Sequence, residues 1–180
     1  MIDKKIAMIA IKNYINNLSD KNIPMTIEIP DENNIFHWTA IMIGPKDTPY
    51  KNGFFTVDIY FPDDYPKHSP DIYFRTPIYH VNVNHKKPYE NKAEKLGQPN
   101  ISMLKCWNSE YKMFEVLGSV FILFYIADPD CAYETNVAKE YKENRSLYDK
   151  KIAYFTKKYA CQDKTKTRYD QNWDFSYSNK

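Results

Sequence analysis

Glycine is scarce in this chain, 4 of 180 residues, and the scarcity removes a class of functions. Neither GxGxxG nor GxxxxGK followed by Ser or Thr occurs, so no glycine-rich loop offers bare backbone to a phosphate. Cysteine is sparse as well. Cys106, Cys131 and Cys161 are odd in number, lie far apart and make no CxxC pair. That disfavours a zinc site and a disulfide framework, and no metal or cofactor is expected. Reduced thiols point to a cytoplasmic or nuclear setting. An excess of charge is missing too: 25 Lys plus Arg face 23 Asp plus Glu, a formal net charge of +2. A dedicated nucleic-acid binder usually shows a strongly basic face. Long apolar runs are absent. The longest, residues 120–127, falls far short of the ~20 needed to span a bilayer. The opening MIDKKIAMIAIKNYINNLSDK lacks a long apolar run and a small-residue cleavage site, so it does not read as a signal peptide. Neither nucleic acid nor membrane is an expected partner.

What the chain does have is core-forming material. Hydrophobic residues make up 43% and aromatic residues 16%, with 16 Tyr among them, too rich for disorder. Met8, Ile11, Ile15 and Leu18 space one apolar stripe of a helix. Strands are expected at 25–29, 35–43, 54–61 and 71–75, punctuated by the polar turn at 31–34 and by Gly44-Pro45, Asn52-Gly53 and Tyr65-Pro66. Within the third, Phe55, Val57, Ile59 and Phe61 alternate with Thr56, Asp58 and Tyr60, the pattern of a half-buried strand. Residues 85–92 read as a charged surface loop. Met113, Val116, Leu117, Val120, Phe121, Leu123 and Phe124 predict a helix apolar almost all round, hence buried. A short helix at 136–142 follows. Tyr148, Ile152, Phe155 and Tyr159 mark an amphipathic helix. Strands in one block and helices in another give an α+β fold. The domain is expected over 1–161, with 162–180 a polar, mobile tail.

The string from Phe36 to Asn82 carries, in order, FHW, GP, TPYKNG, FPDDYPKHSP, FRT and HVN. It strongly resembles the ubiquitin-conjugating enzyme (E2) family, whose pattern there is FHW, GP, TPY-x-x-G, FP-x-x-YP-x-x-P, F-x-T and His-Pro-Asn. Trp107, Asp128-Pro129 and the closing Lys157-Lys158-Tyr159-Ala160 also fit, so the likeness covers about residues 1–160. It implies the UBC fold: a four-stranded antiparallel meander with an N-terminal helix, a buried central helix and C-terminal helices. It also implies ubiquitin or a ubiquitin-like protein as partner, together with an activating enzyme (E1), a partner E2 or an E3 ligase.

The family's chemistry needs a thiolate that accepts the ubiquitin C-terminus as a thioester. It needs an amide donor for the oxyanion, a kind of contact worth about 10²–10³ in rate. It needs a polar or acidic gate to orient and deprotonate a lysine whose free pKa is ~10.4. On the resemblance, Asn82 matches the oxyanion Asn, with Val81 replacing the Pro; Asn82 is equally readable as a structural turn residue. The acceptor string fits Gly97-Gln98-Pro99-Asn100-Ile101-Ser102-Met103-Leu104 without a gap, with Trp107 at +7. Asn100 then stands in the cysteine slot. A rival register places Ser102 there, and neither register supplies a Cys. Cys106 abuts Trp107 and is expected to be a small packed residue. Cys131, in the loop that faces the acceptor site in this family, is an alternative nucleophile or a plain loop thiol. Glu134 is the nearest acidic gate candidate, although Tyr133 is the counterpart by count. For partner docking, Lys4 and Lys5 match the basic start of the first helix. Lys67 follows Tyr65-Pro66 where the family often has an apolar residue, and Asn108-Ser109-Glu110 replaces Ser-Pro-Ala. Two readings stay open: an E2 variant that binds ubiquitin or a partner E2 without carrying a thioester, and an active transferase that uses Cys131 or whose acceptor Cys has been substituted.

Overall fold

The computed structural model describes residues 2–17, 24–85, 96–161 and 173–177, with the side chains of the first helix described over 4–13. Helix α1 (Ile2–Asn17) precedes strands β1 (Met25–Glu28), β2 (His37–Ile43), β3 (Phe54–Tyr60) and β4 (Asp71–Phe74). Then come α2 (Ser102–Lys105), α3 (Met113–Ile122), a 3-10 turn (Pro129–Cys131), α4 (Thr135–Glu143), α5 (Arg145–Phe155) and a π turn (Thr156–Ala160). The sheet order is β1-β2-β3-β4, antiparallel throughout. This is the expected meander.

Register explains the core. Trp38 pairs with Ile59, Ala40 with Val57 and Met42 with Phe55, while Val57 pairs with Phe74 and Ile59 with Ile72. All lie on one face, because side chains alternate with period two. All are buried in one cluster with Val116, Leu117, Val120 and Phe124, and with Ala7 and Ile11. The rings of Phe55 and Phe124 lie 5.0 Å apart.

Four expectations need correction. The stripe of α1 that faces the core is Ala7 and Ile11; Met8 lies 37% exposed, and Ile15 and Leu18 fall outside the described side chains. Helix α3 buries one face only: Met113, Val116, Leu117 and Val120 are inside, but Ile122 is 49% exposed. Strand β3 is buried on both faces, Thr56 and Asp58 included. Asp58 is enclosed because Arg75 Nε donates to its Oδ2 at 2.8 Å and His37 Nε2 lies 2.9 Å from its Oδ1. A buried carboxylate held this way is compensated by charge and hydrogen bonds, not by apolar contact. Finally, α2 has no counterpart among the expected helices; at 4 residues it is too short to show a periodic stripe.

Of the charged surface loop expected at 85–92 only His85 is described, and it is buried rather than on the surface, held by the His80 backbone amide; residues 86–92 and most of the tail lie outside the described residues. The 173–177 segment is described, and it packs on the domain: Trp173, Phe175 and Tyr177 lie against the core. These three residues lie beyond the domain boundary expected at 161.

Candidate functional site

Residues 79–84 run through the interior as a shelf, all buried. Lacking a sheet partner for most of their length, they satisfy their backbone groups with side chains and neighbouring loops, as buried amides must. Tyr50 Oη donates to Tyr79 O at 2.9 Å. Val81 N donates to Tyr148 Oη at 3.1 Å. His80 N donates to His85 Nε2 at 3.0 Å. Asn82 N donates to His80 Nδ1 at 2.9 Å, and His80 Nε2 faces Ile126 O at 3.2 Å. One nitrogen accepts and the other donates, so His80 is neutral. Burial pulls its pKa down to about 4.

The excursion after the shelf returns in register. Asn84 N donates to Gln98 O at 3.0 Å and Gly97 N to Asn84 O at 2.8 Å, around a bridge between Val83 and Pro99. Gly97 is needed there: its φ is +80, and a Cβ would lie 2.2 Å from Phe74 O. However long the intervening loop, this staple delivers Asn100 beside Asn82. Asn100 N donates to Asn82 O at 2.7 Å.

The two asparagines then grip the facing loop. Asn82 Nδ2 donates to Asp128 O at 2.7 Å and to Cys131 O at 3.0 Å, while Asn82 Oδ1 accepts from Asp128 N at 2.8 Å. Asn100 Nδ2 donates to Cys131 O at 2.7 Å. Tyr133 N adds a bond to Val81 O at 3.3 Å. Both N–H bonds of the Asn82 amide are thus spent on loop carbonyls. The structural role offered for Asn82 is directly visible, and in this arrangement no Asn82 donor is left over for an oxyanion.

Cys131 is exposed, and its thiol is hydrogen-bonded to the Asp128 carboxylate, whose charge also acts on it. Both effects push its pKa up. The reciprocal contact holds Asp128 below its ordinary range. A reactive cysteine needs the opposite surroundings, since the thiolate is the nucleophile. Cys106 is exposed, which corrects the expectation of a packed thiol: at the end of a helix this short it meets solvent. Ser102 is exposed at the first position of α2. Glu134 is turned inward, its side chain 11% exposed and its Oε1 3.6 Å from His85 Nδ1. That separation exceeds a hydrogen bond. Sequence reasoning missed His85 and Asp128 as organising residues. Their signals, a second His five residues after His80 and an acid three before Cys131, were present in the string.

The proposed docking residues also converge. Pro66, Lys67, Trp107, Asn108 and Ser109 line one shallow depression with Ile6 on its rim. Trp107 Nε1 closes its floor by donating to Pro66 O at 2.7 Å, next to the cis Tyr65-Pro66 bond. Lys4 lies nearby, 3.1 Å from Asp63 Oδ1 and 5.2 Å from the centre of the Phe36 ring. Lys5 is exposed. Among the described residues, no group of three or more His, Cys, Asp or Glu is placed to hold a metal. No described helix is long and apolar enough to cross a membrane.

This combination of meander, His-x-Asn shelf and facing Asp-Pro loop has counterparts. The family model described as ubiquitin-conjugating enzyme matches residues 10–156. The chain belongs to the ubiquitin-conjugating enzyme family. It is similar to ubiquitin-conjugating enzyme E2 31 of Arabidopsis thaliana, at 34% identity over 131 residues, 72% of this chain and 79% of that one. It is also similar to ubiquitin-conjugating enzyme E2 N of Drosophila melanogaster, at 31% identity over 147 residues, 81% of this chain and 91% of that one. Among solved structures, a ubiquitin conjugating enzyme from Plasmodium yoelii superimposes with a TM-score of 0.74 at 28% identity. That match covers 87% of this chain and 97% of the other. Membership fixes the E2 fold. Whether the chain transfers ubiquitin is a separate matter, because activity resides in particular side chains and not in the fold.

Proposed function

We propose that this chain acts in ubiquitin conjugation as an E2 variant: it binds ubiquitin, a ubiquitin-like protein or a partner E2 without itself carrying a thioester. The observation that carries this reading is Asn100. On the ungapped fit of Gly97 to Leu104 it stands where the family has its cysteine, and its amide is bonded to Cys131 O at 2.7 Å. An amide side chain provides no anionic nucleophile at ordinary pH. The rival nucleophile, Cys131, lies beside the Asp128 carboxylate, which pushes its pKa up and so disfavours the thiolate. The activating enzyme and ligases are partners of the family as a whole. For this chain we assign their docking to the depression around Pro66, Lys67 and Ser109 and to Lys4 and Lys5 of the first helix, and place the protein in the cytoplasm or nucleus. Lys67 makes that surface selective. A ligase that inserts apolar side chains there must desolvate its ammonium.

Titration of the labelled protein with ubiquitin, and separately with an active E2, tests the reading by amide chemical shifts. Saturable shifts with at least one of them are expected. A standard RING domain should produce little change until Lys67→Phe is introduced. No shift with either ubiquitin or E2 at millimolar concentration contradicts a binding role.

A further inference from the structure

Residues 173–177 read Trp-Asp-Phe-Ser-Tyr, and they alternate. Trp173, Phe175 and Tyr177 are half-buried while Asp174 and Ser176 are exposed. This is an extended strap with one apolar face. Phe175 is its centre: its ring lies 4.7 Å from that of Phe155, 5.5 Å from Tyr79 and 4.9 Å from His85. Trp173 lies 6.4 Å from His85, and Tyr177 lies 5.4 Å from Tyr154. Polar contacts fasten the strap to the π turn. Lys158 Nζ lies 3.1 Å from Asp174 Oδ2, and Tyr159 Oη donates to Asp174 O at 2.5 Å.

His85 is where this strap meets the candidate site. One face of its ring stacks on Tyr79, with centroids 5.3 Å apart and planes 13° from parallel. Its Nε2 accepts from His80 N at 3.0 Å, and its Nδ1 faces Glu134 Oε1 at 3.6 Å. His85, Tyr79 and Phe175 thus form one three-ring cluster, each ring in contact with the other two, so the strap packs against both the shelf and the His85 ring. We propose that the 173–177 strap is a positioning element of the candidate site: by seating His85 it fixes the His80 backbone and Glu134, which closes the 128–134 loop.

Geometry makes the effect local. Among the described residues, the strap's ring contacts and its bonds through Asp174 run to α5, the π turn, Tyr79 and His85. Aromatic pairs of this kind add stability beyond area burial. Removing Phe175 should therefore loosen the shelf without melting the sheet. Lost strap contacts expose His85 to water, and water then competes for its Nε2.

The inference rests on reading the 128–134 loop as a wall of the functional site, but it is tested without ubiquitin, so the two can fail separately. Amide hydrogen exchange is measured on the full chain carrying Phe175→Leu, Trp173→Leu or Phe175→Tyr. With either Leu variant, His80 and Tyr133 amides should exchange at least tenfold faster, while Val57 and Ile59 in β3 stay within twofold. Phe175→Tyr, which keeps the ring, should restore protection. A merely structural strap would accelerate β3 equally, and that result overturns the proposal. So does unchanged exchange at His80 and Tyr133 in both Leu variants. If Phe175→Leu fails to fold, Trp173→Leu at the strap's outer end decides by the same criterion.

Discussion

The β2–β3 pair and the shelf at 79–84 are both buried, yet they are held by different physics. In the sheet, Trp38, Met42, Phe55 and Ile59 are fully buried apolar groups facing α3, and area removed from water supplies the stability. In the shelf, Tyr50, Tyr148, His85, Asn82 and Asn100 each give a specific atom to a specific backbone group. Apolar contact tolerates adjustment, whereas a directional bond is lost when its partner moves. The shelf is thus the part of the molecule where one changed atom alters the site without altering the fold.

This contrast can be broken at either end. Phe55→Ala should have the largest effect, destabilising by about 4 kcal/mol through a cavity against Phe124, read as a lower urea midpoint at unchanged slope. A cost below about 1 kcal/mol would show that α3 is not seated on β3 through this ring. The second effect comes from acid. His80 has a folded pKa of about 4 against about 6.5 in the unfolded chain. Between these values the unfolded state binds the extra proton, so stability is complete above about 6.5 and falls as pH is lowered. The full window corresponds to about 3 kcal/mol, of which about 2 should be lost by pH 5, above the carboxylate range. Urea midpoints from pH 7 to 5 measure it; a flat profile would place His80 in a wetter, less enclosed site. Asn82→Ala comes third, at about 2 kcal/mol. It leaves Asp128 N and O without their partner, while Cys131 O keeps Asn100. Its diagnostic is faster amide exchange in the 128–131 turn with the sheet unaffected. Smallest is Asp174→Asn, which removes an exposed ion pair with Lys158 and should leave the urea midpoint almost unchanged.

The same contrast explains what could be read in the string. The meander was legible because apolar residues at period two leave a mark in sequence, and Phe55, Val57 and Ile59 are buried as that mark requires. Asp58 was not legible as a buried residue. Its enclosure depends on Arg75 and His37, which come from β2 and from just past β4, and pairing across strands leaves no periodicity. In helix α1 the stripe through Met8 and Ile11 is right at Ile11, which is buried, and wrong at Met8, because the residue that faces the core one turn earlier is Ala7, too small to stand out. At the site, the ungapped fit from Gly97 to Leu104 pointed to Asn100, and a short backbone bond does place it beside Asn82. The grip of both asparagines on Cys131 O could not be foreseen, since it depends on where the 128–131 turn lies in space. The strap was hidden for a related reason: Trp173, Phe175 and Tyr177 lie in polar surroundings that give no helical stripe, and two-residue spacing over so short a segment is weak evidence.

As proposed, the protein works in ubiquitin conjugation without an activated thiol, the amides of Asn82 and Asn100 being bonded to the 128–131 loop. The most direct test is intact mass of the native protein after incubation with activating enzyme, ATP and ubiquitin. The predicted result is an unshifted mass, with a known active E2 in the same tube fully charged. A gain of one ubiquitin that is reversed by a thiol reductant and abolished by Cys131→Ala would contradict the claim and make Cys131 the nucleophile; a gain that survives every Cys substitution and is released by base would do so through Ser102.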